Sequence, residues 1–251
     1  MRVAVHQGPF ADLPDVVRES GADLVVTAEM ITTGYHIGER THELAEPAGG
    51  AAAARLSALA KETGVALAYG YPESDGGHVY NSVQLVDAAG RRQANYRKTH
   101  LFGDLDKAWF TPGDEAVVQA DVGGVRIGLL ICYDVEFPEL VRAHALAGTE
   151  LLVVPTALMS PYELVADTLV PARAYESQLF VAYANRCDTE RELTYCGRSC
   201  VVAPTGEVLA RAGAGPGVIA ADVTRDALVA SRAENTHLAD RRPNLYRGIT
   251  A

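Results

Sequence analysis

The chain has 251 residues, of which 48% are hydrophobic and 22% charged, as in an ordinary globular protein. A formal net charge of −10 argues against a nucleic-acid partner, because a phosphate backbone binds a basic face. No stretch reaches the ~18 apolar residues of a membrane span, and the start MRVAVHQG lacks the apolar region of a secretory signal, so we expect a cytoplasmic protein without a membrane partner.

Short apolar runs alternate with helical segments along the chain. The strand candidates are rich in β-branched or aromatic residues and are bounded by turn formers: residues 2–6, 23–27, 65–70, 80–87, 90–96, 125–131, 151–155, 179–184 and 199–203. Helices are predicted over residues 50–63, 137–147 and 163–177. Pro171 must kink the last helix or lie at its start.

The order of these elements predicts an α/β fold. An early β-α-β unit and the nearly continuous apolar strands at 125–131 and 151–155 indicate buried sheets covered by helices. Three hairpin-like strands between residues 65 and 96 add an antiparallel part, joined by the turn-rich ESDGGH and DAAGRR. This mixture favours a layered α/β sandwich over a doubly wound sheet. Since no repeat or linker divides the chain, we expect one domain over residues 1–251.

Cys132 follows a predicted buried strand in GLLICYDVEFPE and precedes a predicted helix. A thiol at such a turn lies near the positive end of a helix, which lowers its pKa and supplies N–H groups for an oxyanion. Taken alone, a free cysteine is more often a packed side chain than a nucleophile.

Glu29 and Lys98 also come directly after predicted strands, in DLVVTAEMITTGY and NYRKTHLFG. A carboxylate in a buried setting has a raised pKa and can act as a general base, although a helix cap or a surface ion pair is an equal alternative. An arbitrary lysine is usually solvated. Three such side chains at strand ends could, however, converge in one crevice.

The segments AEMITTGY, YRKTHLF and LLICYDVEFPE resemble, in order and spacing, the three signature blocks of the nitrilase superfamily of carbon–nitrogen hydrolases. The likeness extends over nearly the whole chain, from NSVQLVDAAG to the terminal LADRRPNLY. It implies a four-layer α-β-β-α sandwich that forms a homodimer or a higher homo-oligomer. It also implies catalysis without a metal or an organic cofactor.

The resemblance assigns roles to the residues at the motif positions. Cys132 would be the nucleophile and Glu29 the base, while Lys98 and the backbone N–H of Tyr133 would stabilise the oxyanion. Attack on a small amide would release ammonia and leave a thioester on Cys132, which water would hydrolyse. Family members tend to carry a second glutamate after the lysine; here Asp106 is the expected counterpart, with Asp104 as the alternative.

Within the superfamily the chain is most similar to aliphatic amidases of the 5-aminopentanamidase type. Such enzymes hydrolyse linear amides with a distal amino group, and a guanidino amide would suit the same pocket. The candidate substrate-binding residues are Tyr35, Asp106, Trp109, Glu136, Thr156 in PTALMSPY, and Tyr162. Trp109 could contact a cation or pack under its loop, and Glu136 could bind substrate or brace the site. An N-carbamoyl amine hydrolase and a non-catalytic binding protein are the alternative functions.

Other residues are expected to be structural. Cys187, Cys196 and Cys200 have no neighbours comparable to those of Cys132, and four cysteines are too few for a disulfide scaffold. The histidines show no paired metal-ligand spacing. His100 is expected to support its loop, and residues from about 235 to 251 are expected to form a C-terminal arm that crosses a dimer partner, with a loose surface tail as the alternative.

Overall fold

The computed structural model describes residues 1–249, which contain two mixed six-stranded sheets flanked by helices. The strands are β1 (Arg2–Gln7), β2 (Leu24–Val26), β3 (Ala66–Asp75), β4 (His78–Val86), β5 (Arg92–Arg97), β6 (Gln119–Val122), β7 (Val125–Leu129), β8 (Leu151–Thr156), β9 (Phe180–Asn185), β10 (Thr189–Glu190), β11 (Leu193–Thr194), β12 (Cys200–Val202), β13 (Val208–Arg211) and β14 (Gly217–Asp222). The α-helices are α1 (Leu13–Glu19), α2 (Arg40–Leu44), α3 (Ala51–Thr63), α4 (Gly103–Lys107), α5 (Pro138–Leu146), α6 (Val170–Ser177) and α7 (Arg225–Glu234).

Each sheet has a parallel centre and antiparallel edges. The first has the order β14-β1-β2-β3-β4-β5, with β1, β2 and β3 parallel. The second has the order β13-β12-β9-β8-β7-β6, with β7, β8 and β9 parallel. Strands β10 and β11 form a separate two-stranded hairpin in the connection between β9 and β12.

The alternation of side chains along the strands builds the layers. Val3 and Val5 of β1 point into a core shared with the second sheet, whereas Ala4 points to the opposite face. That opposite face packs against α1 and α3 through residues such as Leu13 and Leu56. Helices α5 and α6 cover the second sheet. The fold is therefore a layered α/β sandwich, as the order of elements predicts, with the α-β-β-α arrangement that the family resemblance implies.

Several element predictions are confirmed, and others need correction. The antiparallel run β3-β4-β5 is present. The predicted helix 163–177 is divided into a π-helical turn, Val165–Leu169, and α6, in which Pro171 lies in the first turn. The predicted helix 137–147 is preceded by a 3-10 helix over Cys132–Glu136. The elements that the sequence prediction missed are α1, α2, α4, α7, β6, β10, β11, β13 and β14.

Three strand ends from the two sheets place the candidate residues. Glu29 follows β2, Lys98 follows β5 directly, and Cys132 lies three residues after β7. Gly70 of β3 lets the backbone around Glu29 pack closely against β3, because a Cβ at Gly70 would lie 2.6 Å from the Met30 nitrogen.

The chain after α7 contains 3-10 turns at Pro243–Leu245 and Arg247–Ile249, and the last two residues of the predicted arm lie outside the described range. Among residues 1–249, no helix is both long enough and apolar enough to cross a bilayer.

Candidate active site

Lys98 is a fully buried cation held between two carboxylates. Its Nζ donates to Glu29 Oε1 at 2.9 Å and to Asp106 Oδ2 at 2.6 Å. Its backbone is also fixed, since its N–H bonds to Asn81 and its carbonyl accepts from Gly113. Burial alone would lower the pKa of Lys98, but the charges of Asp106 and Glu29 outweigh it and raise that pKa well above its usual value. Lys98 is therefore a permanent ammonium group.

Glu29 is also fully buried, and its two oxygens differ in their surroundings. Oε1 accepts from Lys98 and, at 2.6 Å, from Asn81 Nδ2. Oε2 has no hydrogen-bond partner among the described residues. Burial raises the pKa of Glu29, and the charge of Asp106 adds to this, while Lys98 and Asn81 act in the opposite direction. A raised pKa and one free oxygen are the properties that a general base needs.

Asp106, rather than Asp104, is the acidic residue that reaches Lys98. It is completely buried in α4 and also accepts from the Tyr35 hydroxyl at 2.8 Å and from the Phe102 N–H at 2.8 Å. Asp104 is exposed. The shorter carboxylate thus reaches the lysine, and Tyr35 fixes its orientation.

Cys132 opens the 3-10 helix with a φ of +47°, a conformation that is rare for a residue with a side chain. The expected lowering of its pKa is wrong: burial and the charge of Glu29 raise the pKa of the thiol well above its usual value, although Lys98 and the Ala157 N–H oppose this. Helix α5 begins only at Pro138. Its positive end is therefore too far from Cys132 to determine the pKa of the thiol. The resting residue is a neutral thiol that needs a base.

Asp134 connects the turn that contains Cys132 to the loop after Lys98. The sequence patterns did not indicate this role. Its buried carboxylate accepts from Tyr96, Thr99, and both the backbone and ring nitrogens of His100. It also accepts from the Ile131 N–H. The ring of His100 in addition stacks on Phe137, with centroids 3.8 Å apart, so His100 supports its loop as predicted.

The remaining predicted substrate-binding residues lie in different settings. The Thr156 hydroxyl bonds back to Val154, while its carbonyl accepts from the Glu29 N–H. Trp109 meets the ring of His42 edge-on, at 6.0 Å, which supports packing under its loop. Tyr162 is 49% exposed and packs edge-on against Phe102.

Glu136 lies at the end of the nucleophile's 3-10 helix and is half-buried. Its backbone carbonyl accepts from Arg173 at 2.7 Å. Its carboxylate has no hydrogen-bond partner within the described part of the chain. Burial raises the pKa of this carboxyl, and the charges of Arg173 and Lys98 oppose that effect. Glu136 therefore braces the site through its backbone carbonyl. Its carboxylate is available to bind another group.

The other cysteines lie apart from this cluster of charges. Cys196 and Cys200 are buried and Cys187 is half-buried, and all four cysteines are free thiols. In the part of the chain that the structure describes, no group of three or more metal-binding side chains occurs.

Besides Asp134, sequence reasoning missed Asn81 as a partner of Glu29 and Glu190 as an anchor of the Tyr35 backbone. Asn81 lies in the predicted strand 80–87 and in NSVQLVDAAG, and neither pattern assigns it a role at the site. Asn81 lies within β4, Asp134 in the 3-10 helix and Glu190 in β10, and no local sequence pattern distinguishes them from other polar residues.

Comparison with known proteins agrees with this geometry. Residues 8–233 match the family model described as carbon–nitrogen hydrolase. A Pseudomonas protegens protein named hydrolase in pqqF 5′ region is 48% identical, over 98% of this chain and 90% of its own length. An (R)-stereoselective amidase from a Pseudomonas species is 38% identical, over 88% and 80%. A structure of the amidase from Nesterenkonia sp. AN1, with acrylamide added at its active-site cysteine, has a TM-score of 0.88 and 35% identity and covers 99% of each chain.

The chain therefore belongs to the carbon–nitrogen hydrolase family of the nitrilase superfamily. It is a hydrolase of carbon–nitrogen bonds, and its relatives include amidases, one of them with an active-site cysteine.

Proposed function

We propose that this enzyme hydrolyses short linear amides that carry a distal amino or guanidino group, such as 5-aminopentanamide, with Cys132 as the nucleophile. The products are the corresponding acid and ammonia. Glu29, Lys98 and the Tyr133 N–H carry the chemistry on the amide, and Glu136 receives the distal cation.

In the first step, Cys132 Sγ attacks the amide carbonyl as its proton passes to Glu29. The free Oε2 is the acceptor, because Oε1 is already occupied by Lys98 and Asn81. Since the pKa of the thiol is raised, proton removal must accompany attack rather than precede it.

The oxyanion that forms needs donors already in place. The Lys98 ammonium has three N–H groups, and Glu29 and Asp106 accept two of them. The third is free for the oxyanion. Tyr133 is the second residue of the 3-10 helix, where a backbone N–H has no acceptor within the helix. Both donors are rigid, so stabilisation requires little reorganisation.

Collapse of this intermediate completes the acylation half of the reaction. Glu29 returns the proton to the amide nitrogen, the carbon–nitrogen bond breaks and ammonia leaves, with the acyl group held as a thioester. Glu29 then takes a proton from water as the water oxygen attacks the thioester. The carbon–sulfur bond breaks, the acid leaves, and the proton returns to Cys132.

The unpartnered carboxylate of Glu136 is the observation that carries the substrate proposal. Unlike Glu29 and Asp106, it has no hydrogen-bond partner in the described residues, although burial raises its pKa. It lies four residues after the nucleophile, and the charge of Lys98 is near enough to affect its pKa. A distal ammonium or guanidinium group would satisfy this carboxylate.

The test compares ammonia release from 5-aminopentanamide, 4-guanidinobutanamide and pentanamide, which is the uncharged match of the first. We expect kcat/KM to be higher for the charged amides. Glu136→Gln should lower it about 10- to 100-fold for them, the worth of one hydrogen bond to a charged group, and leave pentanamide nearly unchanged. Glu139→Gln, the same change at an exposed position one turn further on, is the control.

An equal loss for charged and uncharged amides in Glu136→Gln, or no preference for the charged ones, would overturn the proposal. Release of ammonia and carbon dioxide from N-carbamoylputrescine, without turnover of 5-aminopentanamide, would instead assign the N-carbamoyl amine activity.

A further inference from the structure

We infer that Glu190, in the hairpin formed by β10 and β11, is a positioning residue for the reaction. It holds the backbone of Tyr35 so that the Tyr35 hydroxyl orients Asp106 against Lys98. The inference rests on the proposed role of Lys98 at the oxyanion, and it adds a residue that contacts neither the reacting atoms nor the lysine itself.

The Glu190 carboxylate accepts hydrogen bonds from two separate loops. It accepts from the backbone N–H groups of Tyr35, at 3.0 Å, and His36, at 2.8 Å. It also accepts from Arg186 Nη2 at 2.7 Å and from the Tyr195 hydroxyl at 2.7 Å. The first two donors belong to the loop after β2, and the other two to the connection between β9 and β12. One side chain therefore ties the two sheets' loops together.

The approach of Glu190 depends on a glycine in the loop after β2. Gly34 has a φ of +99°, and a Cβ there would lie 2.6 Å from Glu190 Oε1. The local backbone is thus shaped to admit this carboxylate. The ring of Tyr195 also packs edge-on against Tyr35, with centroids 6.4 Å apart, which limits the movement of the Tyr35 side chain.

From Tyr35 the chain of contacts continues to the lysine. The Tyr35 hydroxyl donates to Asp106 Oδ1 at 2.8 Å, and Asp106 Oδ2 accepts from Lys98 at 2.6 Å. All three side chains are buried, so none is held in place by solvent. A shift of the Tyr35 backbone would release Asp106 and let the ammonium group move away from the position that an oxyanion requires.

The variant Glu190→Gln tests this directly, because an amide has one acceptor oxygen where four donors now converge on a carboxylate. We expect kcat for pentanamide to fall about 10- to 30-fold, with KM within about 3-fold. Tyr35→Phe, which lacks the hydroxyl, should give a similar loss. The double variant should be no slower than the slower single variant, within about 2-fold, because both changes break the same link.

Asp188→Asn is the matched control, since Asp188 shares Arg186 with Glu190 in the same loop but is not bonded to the loop after β2. It should keep the wild-type kcat. If Glu190→Gln lowers kcat in the Tyr35→Phe background by the same factor as in the wild type, or has no effect in either, the inference fails. If Glu190→Gln does not fold, Glu190→Asp replaces it in the same comparison of single and double variants with Tyr35→Phe.

The proposed function has a separate test. It fails if Cys132→Ala hydrolyses amides at the wild-type rate. A wild-type kcat in Tyr35→Phe would overturn the positioning role while leaving the nucleophile untouched.

Discussion

Two carboxylates and one ammonium group lie fully buried within hydrogen-bond distance at the centre of this site: Glu29, Asp106 and Lys98. Buried charges are costly unless each is paired and hydrogen-bonded. Asp106 has three donors and Lys98 two acceptors, whereas Glu29 keeps one oxygen without a partner. The least satisfied oxygen in the cluster is therefore the one to which we assign the proton transfer.

Asn81 should tune the basicity of Glu29. Its amide donates to Glu29 Oε1 and lowers the pKa of that carboxyl. Asn81→Leu removes the donor, so the pKa of Glu29 should rise further. Because the base must be ionised, the acidic limb of the kcat/KM profile should move to higher pH. The measurement is the pH dependence of ammonia release between about pH 4 and 9, the range that spans the ordinary carboxyl and thiol pKa values.

The control for this experiment is Asn95→Leu, the same replacement on the neighbouring strand. Asn95 donates to Glu73 rather than to Glu29. An unchanged acidic limb in Asn81→Leu, or an equal shift in Asn95→Leu, would contradict the account.

At the residue scale, ordered motifs predicted Glu29, Lys98, Cys132 and Asp106 as neighbours, and the structure brings Glu29, Lys98 and Asp106 into direct contact. The direction of the thiol's pKa shift could not be predicted, because it depends on burial beside Glu29, which comes from a different strand.

At the scale of elements, α5 is held against β7 by a buried histidine. His144 is completely buried, its Nδ1 lies 3.1 Å from the Thr149 hydroxyl, and Gly128 leaves room for its ring. Burial lowers the pKa of His144 from 6.5 to about 4. The folded protein thus favours the neutral imidazole.

This burial should make stability depend on pH. Between the folded pKa of about 4 and the ordinary value of 6.5, the unfolded chain binds the proton more readily. The contribution of His144 is therefore complete above the ordinary pKa and is lost as pH falls. Between pH 7.5 and 5, the free energy of unfolding should fall by about 2 kcal/mol more in the wild type than in His144→Gln.

Urea unfolding at the two pH values measures this difference. The same replacement at His78, which is exposed, should leave the wild-type pH dependence in place. Parallel pH dependences for the wild type and His144→Gln would contradict the assignment.

Elements with strong apolar periodicity were predictable, and weakly patterned ones were not. Strands β8 and β9 are buried along their whole length and appear as continuous apolar runs. Strands β13 and β14 are largely exposed or half-buried edge strands whose sequences carry no clear alternation. Helix α7 was missed although Thr224 caps it by accepting from the Ala227 N–H, a signature that the sequence contains.

At the scale of the whole molecule, the C-terminal segment exposes large apolar side chains. Leu245 is 64% exposed and Tyr246 is 38% exposed in the single chain. If this segment crosses a partner, as the family resemblance implies, these side chains become buried only in a dimer.

We expect a mass in solution of twice 26.7 kDa, and monomers after removal of residues 235–251, because the arm would carry much of the interface. Sedimentation of both forms checks this. A full-length chain that sediments as a monomer, or a shortened chain that still dimerises, would contradict it.

The central claim is that Cys132 is the nucleophile, and replacing it tests that claim most directly. Cys132→Ala should release ammonia from 5-aminopentanamide and pentanamide at least about 10³-fold more slowly than the wild type, as expected for loss of a covalent nucleophile. Cys187→Ala should retain its rate. Acid quenching of the wild type during turnover should give a mass increase equal to the acyl group, located on the peptide that contains Cys132. Turnover by Cys132→Ala at the wild-type rate would contradict the account.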